Sequence, residues 1–391
     1  MSGVSADLVV IGGGIVGAAT AFHAARAGLR VILAERRSGL ATLTTTRSLE
    51  GVRAQFDDPE DIAMMRESLE VFEHFAETLG VPGLDVSFHQ QGYLFLSQTQ
   101  EGATRIGERV ARQRAAGLAD VELLPGCEAR RRFGFLAEDV TAAAFRQRDG
   151  WVASHEATYG FIAGAGTRAR VLLDTEVLGF ELDRGRLCAV RTQHGRIEAP
   201  RAVIAAGPFT GRVAAMAGLA IPFFALRRHR GGIKAHPLIP RSAPMTISLD
   251  TGAHWRPEGA GAWIGWSGAL DEQPEEPREL VPTDWTFPAL ALEAIARFSP
   301  FWEEVAVTLT RANVTVEAGQ YDMTPDAKPL IGPTEVEGLF LNAGYSGHGV
   351  MGSPAGARLC VDVMLGRVPQ AENPFRPSRF QESLVAGKRP L

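Results

Sequence analysis

The chain is poor in cysteine: Cys127, Cys188 and Cys360 are the only three in 391 residues, and no two form a C-x-x-C pair. Such spacing supports neither a zinc site nor a disulfide framework, so three reduced, buried thiols in a cytoplasmic protein and no bound metal are expected. No apolar run reaches the roughly 20 residues that span a bilayer, and the first strand is not preceded by a basic leader. Excess charge is scarce too, at −5 net with a pI near 6.0, so neither nucleic acid nor an anionic membrane is an expected partner. Internal repeats, low-complexity tracts and basic aromatic stripes are missing, and no Ser-His-Asp set or carboxylate pair stands out.

What is present is a globular composition, 45% hydrophobic and 22% charged, in a chain of 391 residues, enough for roughly two to three domains. The most informative stretch is the first. Leu8-Val9-Val10-Ile11 is an apolar run suited to a strand buried on both faces, and Gly12-Gly13-Gly14-Ile15-Val16-Gly17 follows at once. In this G-x-G-x-x-G, Gly12 permits a tight turn, Gly14 lets backbone approach a diphosphate, and Gly17 lets the helix from Val16 to Ala27 pack on the strand. The helix N-terminus offers free N–H groups to the same anion. A second strand, Arg30 to Leu33, leads to Glu35, an acid placed to accept the ribose hydroxyls of an adenosine.

Beyond Glu35 and Arg36, the loop to Thr46 is rich in hydroxyls, with Thr44, Thr45 and Thr46 preceding Arg47; such groups suit phosphate or ring-nitrogen contacts as well as plain turns. Arg53 follows closely and could face an anion or solvent. Periodic apolar residues predict an amphipathic helix from Pro59 to Leu79, with His74 on its surface, and a further helix from Glu101 to Ala116. A helix from His155 to Arg170 is followed by a predicted meander: Val171 to Thr175, Val177 to Leu182, Cys188 to Thr192 and Arg196 to Ala199. Ala202-Val203-Ile204-Ala205-Ala206-Gly207-Pro208 then repeats the theme of an apolar strand entering a glycine turn, so the nucleotide domain is assembled from separated pieces.

From Ile221 to about Thr310 lies a block with Trp255, Trp263, Trp266, Trp285 and Trp302 in or beside it, and with strand-like runs such as Met245 to Leu249. Asp271 to Glu279 reads as a solvated acidic loop. Near the C-terminus, Leu339 to Ala343 opens into Gly344-Tyr345-Ser346-Gly347-His348-Gly349-Val350-Met351-Gly352, followed by a helix from Pro354 to Leu365. This again offers backbone N–H groups to an anion or an electron-rich ring.

Three separated motifs thus agree, and with Tyr321-Asp322-Met323-Thr324-Pro325-Asp326 they resemble the flavin-dependent amine and amino-acid oxidoreductases of the D-amino-acid oxidase superfamily. Within it the chain looks most like the group of sarcosine oxidase, glycine oxidase and the beta subunit of dye-linked L-proline dehydrogenase. The resemblance implies an α/β fold: a Rossmann-like FAD-binding domain of glutathione-reductase type (1–50, 150–220 and 320–391) interleaved with an α+β substrate domain (51–149 and 221–319) holding a mixed or antiparallel sheet. It implies FAD, contacted by Gly12, Gly14, Ile15, Val16, Gly17, Glu35, Arg36, Thr44, Thr45, Thr46, Arg47, Val177, Ala206, Gly207, Gly344, Gly347, His348, Gly349, Val350 and Met351.

Departures from the family pattern carry their own expectations. Monomeric sarcosine oxidase holds its flavin through a cysteine where this chain has Gly319, so noncovalent FAD is implied. That enzyme's oxygen-activating lysine aligns with Trp263 and its carboxylate-binding lysine with Met351; slow reaction with oxygen is expected, and Trp263→Lys is expected to raise it. The family chemistry is hydride transfer from the carbon beside nitrogen to flavin N5, giving an imine that water hydrolyses. Tyr321, His348 and Arg53 are the catalytic candidates, with Arg53, Trp263, Tyr321 and Met351 lining the substrate pocket. The implied partners are an amine or amino acid and an electron acceptor: oxygen, a quinone or a partner subunit. Oxidation of a 2-hydroxy acid or alcohol, and service as the flavin-carrying subunit of a larger dehydrogenase complex, are the competing readings.

Overall fold

A computed structural model describes residues 4–270 and 273–380. Five short apolar segments lie parallel in the order Leu339–Ala343, Ala202–Ile204, Leu8–Ile11, Val31–Ala34 and Ala169–Leu172, and Leu330–Pro333 adds an antiparallel edge. Both faces of this sheet are covered at its centre, which is why Leu8–Ile11, Val31–Ala34 and Ala202–Ile204 are apolar throughout. Leu8, Val10 and Leu33 enter the core beneath the helices. Val9, Ile11 and Ile32, alternating with them, pack against Phe180, Val190 and Ile197 of a second, smaller sheet. On the helical face, Ile15–Arg26 packs between Ser154–Ala165 and Gly349–Met364.

The other large sheet draws on two separated stretches of chain. Its order is Pro274–Glu275, Phe224–Ile233, Gly261–Gly265, His254–Glu258, Met245–Ser248, Tyr93–Ser97, Ala142–Arg146 and Glu122–Pro125, with Val314–Met323 running antiparallel along Phe224–Ile233. It is mixed, because Met245–Ser248 pairs in parallel with Tyr93–Ser97 while its other pairings are antiparallel. Ile233, Trp255, Ala262 and Ile264 point into a core with the helix Phe287–Ala296. Alternation therefore sends Arg230, Arg256 and Trp263 to the opposite face.

Several local expectations change. The strand expected at Val171 to Thr175 is Ala169–Leu172, and it pairs with Val31–Ala34 in the nucleotide sheet, not with the meander. The helix expected from Pro59 to Leu79 breaks at the exposed His74 into Pro59–Glu73 and Phe75–Leu79. Of the three cysteines only Cys360 is buried; Cys127 and Cys188 are exposed, and all three are free. Trp255 and Trp302 are core fillers, each with no exposed surface. Asp271 and Glu272 lie outside the described residues, but the rest of the acidic segment is tied down. Glu276 pairs with Arg212, and Glu279 pairs with Arg36 and Arg37, because these guanidiniums offer it charge partners beside the nucleotide sheet. Among the described residues no helix is long and apolar enough to cross a membrane, and no His, Cys, Asp and Glu cluster could hold a metal.

Candidate active site

The opening turn is built by close approach. A Cβ on Gly17 would lie 1.9 Å from the Gly12 carbonyl oxygen, so any other residue would push the helix off the strand. At Gly14 the nearest such neighbour is the Thr45 hydroxyl, 3.3 Å away, so this side of the turn is open. Glu35 braces the turn by accepting from the Gly13 N–H at 2.6 Å and the Arg37 N–H at 2.8 Å. The helix has no cap from its own N-cap residue, Gly14, and no acid in its first turn, and the Thr45 hydroxyl meets its Ile15 N–H at 3.2 Å, leaving its positive end open to an anion. Gly349–Met364 likewise begins without a cap from its own N-cap residue and without an acid in its first turn.

A cavity opens where the parallel strands end, reached by Ile11, Ala34, Ala205 and Ala343. From the opening motif, Gly12, Gly14, Ile15, Val16, Glu35 and Arg36 line it. Thr44, Thr45, Val177, Ala206 and Gly207 join them, as do Tyr321, Gly347, Gly349 and Val350. Other expected contact residues take different positions. Gly17 sits in the helix–strand contact, the Thr46 hydroxyl donates to the Ala41 carbonyl at 2.9 Å, and Arg47 borders a smaller recess with Gly319. The Gly344 N–H donates to Asp322 Oδ2 at 2.7 Å, and Met351 is buried in the final helix. Asp322 thereby buttresses the glycine loop, its carbonyl also accepting from the Ser346 N–H at 2.9 Å; burial raises its carboxyl pKa to about 6. Within that loop Gly347 has φ of +89°, and a Cβ there would meet the Tyr321 ring at 2.5 Å.

These residues suit a long ligand bearing a diphosphate and flat rings. Two helix N-termini without an acid in the first turn meet the cavity, and the Arg36 guanidinium lies 3.8 Å from the centre of the Phe209 ring, with its buried Nη2 unpaired.

Arg53 lies along a chain of contacts leading from that cavity. Tyr321 touches Gly347; the next residue, His348, sets its ring edge-on to Phe56 with centroids 4.9 Å apart; and the Arg53 guanidinium lies 4.0 Å above Phe56 and 5.3 Å from Phe95. Arg53 donates to the Gln55 carbonyl, and among the described residues it forms no ion pair with a carboxylate. Desolvation, reinforced by Arg109, lowers its pKa to about 10. Arg109 shares the Gln55 carbonyl but is paired with Asp57 at 3.0 Å. Buried Asp149 holds the next two residues, accepting from the Ala54 N–H at 3.1 Å and from Gln55 Nε2 at 3.1 Å. Enclosure by protein, with a smaller push from Arg53, drives the His348 pKa down to about 3, so its imidazole is neutral at physiological pH.

Trp263 has a crowded setting. Arg230 and Arg256 approach from the strands on either side, 3.7 Å and 4.1 Å from the ring centroid. A lysine at 263 would stand between two guanidiniums that Glu317, Glu258 and Glu50 already pair, so the expected gain in oxygen reactivity from Trp263→Lys stands as a proposal for stopped-flow reoxidation to test. Sequence reading missed Gln55, Phe56, Asp149, Phe209, Arg230 and Arg256, which strand pairing and loop closure bring in from distant segments.

Comparison with known proteins adds a family. The family described as "DAO: FAD dependent oxidoreductase" matches residues 7–363. FAD-dependent oxidoreductase domain-containing protein 1 of Xenopus laevis is 28% identical over 92% of this chain and 79% of its own. Mitochondrial sarcosine dehydrogenase of Mus musculus is 26% identical over 97% of this chain but only 42% of its own length. The crystal structure of L-proline dehydrogenase from P. horikoshii superposes with a TM-score of 0.85 at 27% identity, covering 97% of this chain and 99% of that one.

Proposed function

The chain belongs to this family of FAD-dependent oxidoreductases, and we propose that it oxidises the carbon–nitrogen bond of a small amino acid or secondary amine that carries a carboxylate. The observation carrying this reading is Arg53: a largely buried guanidinium, without a carboxylate partner among the described residues, connected through Phe56 to His348 and the cavity. A buried cation lacking an anion is complementary to an anionic ligand. Relatives named for sarcosine and proline oxidation act on substrates of that chemistry.

FAD, when bound, supplies the two-electron acceptor. The residues of the chain orient and desolvate. Arg53 takes the substrate carboxylate, and Phe56 and Phe95 keep water from that contact. Tyr321 and Gly347 present a flat wall to the reacting carbon. His348, with its pKa near 3, is the neutral imidazole at neutral pH and is too weak a base to strip a substrate ammonium. The amine must bind already neutral, so kcat/KM is expected to rise tenfold per pH unit toward the substrate's own amine pKa. His348→Gln is expected to leave that slope in place; a profile flattened by this variant would make His348 the base. The primary test is anaerobic bleaching of the flavin absorbance by a panel of amino acids and N-methyl amines. Bleaching by 2-hydroxy acids but by no amine would overturn the reading.

Two further outcomes follow from the same residues. A Cβ on Gly319 would lie 2.9 Å from Arg47 Cβ, and glycine offers no atom for a thioether, so acid precipitation should leave the yellow colour in the supernatant. Colour in the pellet would refute noncovalent binding. The cations beside Trp263 are already neutralised, Arg230 by Glu317 and Arg256 by Glu258 and Glu50, and His348 is uncharged. Electrostatic help to developing superoxide, worth on the order of 3 kcal/mol or about a hundredfold in rate, is thus weakened. Stopped-flow reoxidation is expected to be faster with a dye or quinone than with oxygen, and equal rates would identify an oxidase.

A further inference from the structure

The face of the mixed sheet opposite its apolar core is unusually charged, and its geometry is specific. Trp263 and Arg256 are directly paired across adjacent strands, and on the other side of the Trp263 strand Arg230 and Glu317 are paired in the same way. Each arginine also leaves the sheet to bind backbone. Arg230 Nη1 donates to the Ser48 carbonyl at 2.6 Å, and Arg256 Nε donates to the Leu49 carbonyl at 2.8 Å. Two guanidiniums from different strands therefore hold consecutive carbonyls of one loop, with an indole between them.

That loop joins two parts of the site. Upstream, the Thr45 hydroxyl accepts from Ile15 N–H at the start of the cavity helix, at 3.2 Å. Downstream lies Arg53. Between them Glu50 is held at φ of +58°, a region that residues other than glycine seldom occupy. Its carboxylate is nearly enclosed, 11% exposed, accepting from the Ser154 hydroxyl at 2.5 Å and lying 3.6 Å from Arg256. A non-glycine residue in that conformation persists only where its surroundings over-determine it. Here the surroundings are the two arginines, Ser154 and the short pairing of Gly51–Val52 with Gly150–Trp151.

We propose that Trp263 is a positioning residue: by spacing Arg230 and Arg256 it clamps the carbonyls of Ser48 and Leu49, and so sets where Arg53 meets the substrate carboxylate. The clamp rests on geometry alone; its effect on substrate rests on the function proposed above. Flat aromatic faces suit stacked guanidiniums, which an aliphatic side chain of similar volume cannot replace.

The experiment separates those two layers. Hydrogen exchange by mass spectrometry on the full-length, FAD-loaded protein, without substrate, reads the loop directly. In Trp263→Leu, peptides covering 45–56 should exchange at least about tenfold faster, while Trp263→Phe should stay near wild type. If Trp263→Leu does not fold, Arg230→Met removes one jaw, and the same segment should loosen. With substrate, Trp263→Leu should raise KM for the amino acid about tenfold with kcat little changed, and should spare an amine lacking a carboxylate. Unchanged exchange of 45–56 in the leucine and arginine variants overturns the clamp, as does equal loosening in Trp263→Phe. Failure of every amine or amino acid to reduce the wild-type flavin overturns the proposed function and leaves the exchange result standing.

Discussion

Arg53→Met protein is expected to lose about a thousandfold in kcat/KM for its amino-acid substrate, about 4 kcal/mol, while keeping its flavin. Methionine keeps the apolar stem but lacks the guanidinium that lies 4.0 Å above Phe56 and 5.3 Å from Phe95, so the charge and its ring contacts are removed together. The wild-type cation is desolvated, with the Gln55 carbonyl as its acceptor and no ion pair among the described residues. An incoming carboxylate therefore regains a charge-assisted contact in a water-poor setting. The loss should fall mainly on KM, because the carboxylate is held equally in ground state and transition state. Removing an unpaired buried charge also relieves the folded protein, so the Tm of the variant is expected not to fall. Steady-state kinetics with a dye acceptor, flavin absorbance and thermal unfolding check the three parts. Wild-type kcat/KM in Arg53→Met would move the carboxylate site elsewhere.

Loss of FAD is the second large effect expected, from Glu35→Lys and from Gly14→Val. Glu35 braces the glycine turn through the Gly13 and Arg37 N–H groups and offers the acceptor for a ribose, and lysine can do neither. At Gly14 a valine would project past the Thr45 hydroxyl, 3.3 Å from the first added carbon, into the space where a diphosphate must lie. Each change is expected to weaken FAD binding at least a hundredfold, about 3 kcal/mol. The measurement is the ratio of flavin to protein absorbance, followed by titration of stripped protein with FAD. Gly17→Ala is the contrasting case: its Cβ would meet backbone oxygen at 1.9 Å, so it should cost folding as well as flavin. Full flavin occupancy in purified Gly14→Val protein would contradict the placement of the cofactor at this turn.

The nucleotide half was legible because its signals are local. Leu8–Ile11, the glycine turn and the following helix are contiguous, and close approach there demands glycine whatever the rest of the chain does. Ala169–Leu172 was harder: its four residues carry strand propensity but not the identity of a partner, and its pairing with Val31–Ala34 is a tertiary choice. Val314–Met323 and Phe224–Ile233 pair along ten residues, yet Arg227, Arg228, His229 and Arg230 interrupt the apolar alternation that would advertise a strand.

The sequence by itself determined the glycine turn that suits an adenosine diphosphate, since that depends on residues within a few positions of one another, and three separated motifs together carried the resemblance that implies FAD. Only the tertiary structure decided charge. His348 is neutral because protein surrounds it; Arg53 has no ion pair among the described residues, with Asp57 spent on Arg109; and Trp263 is flanked by Arg230 and Arg256 because its strand lies between theirs. Desolvation and Coulomb energy depend on distance in space, and none of those distances is written in the order of the residues.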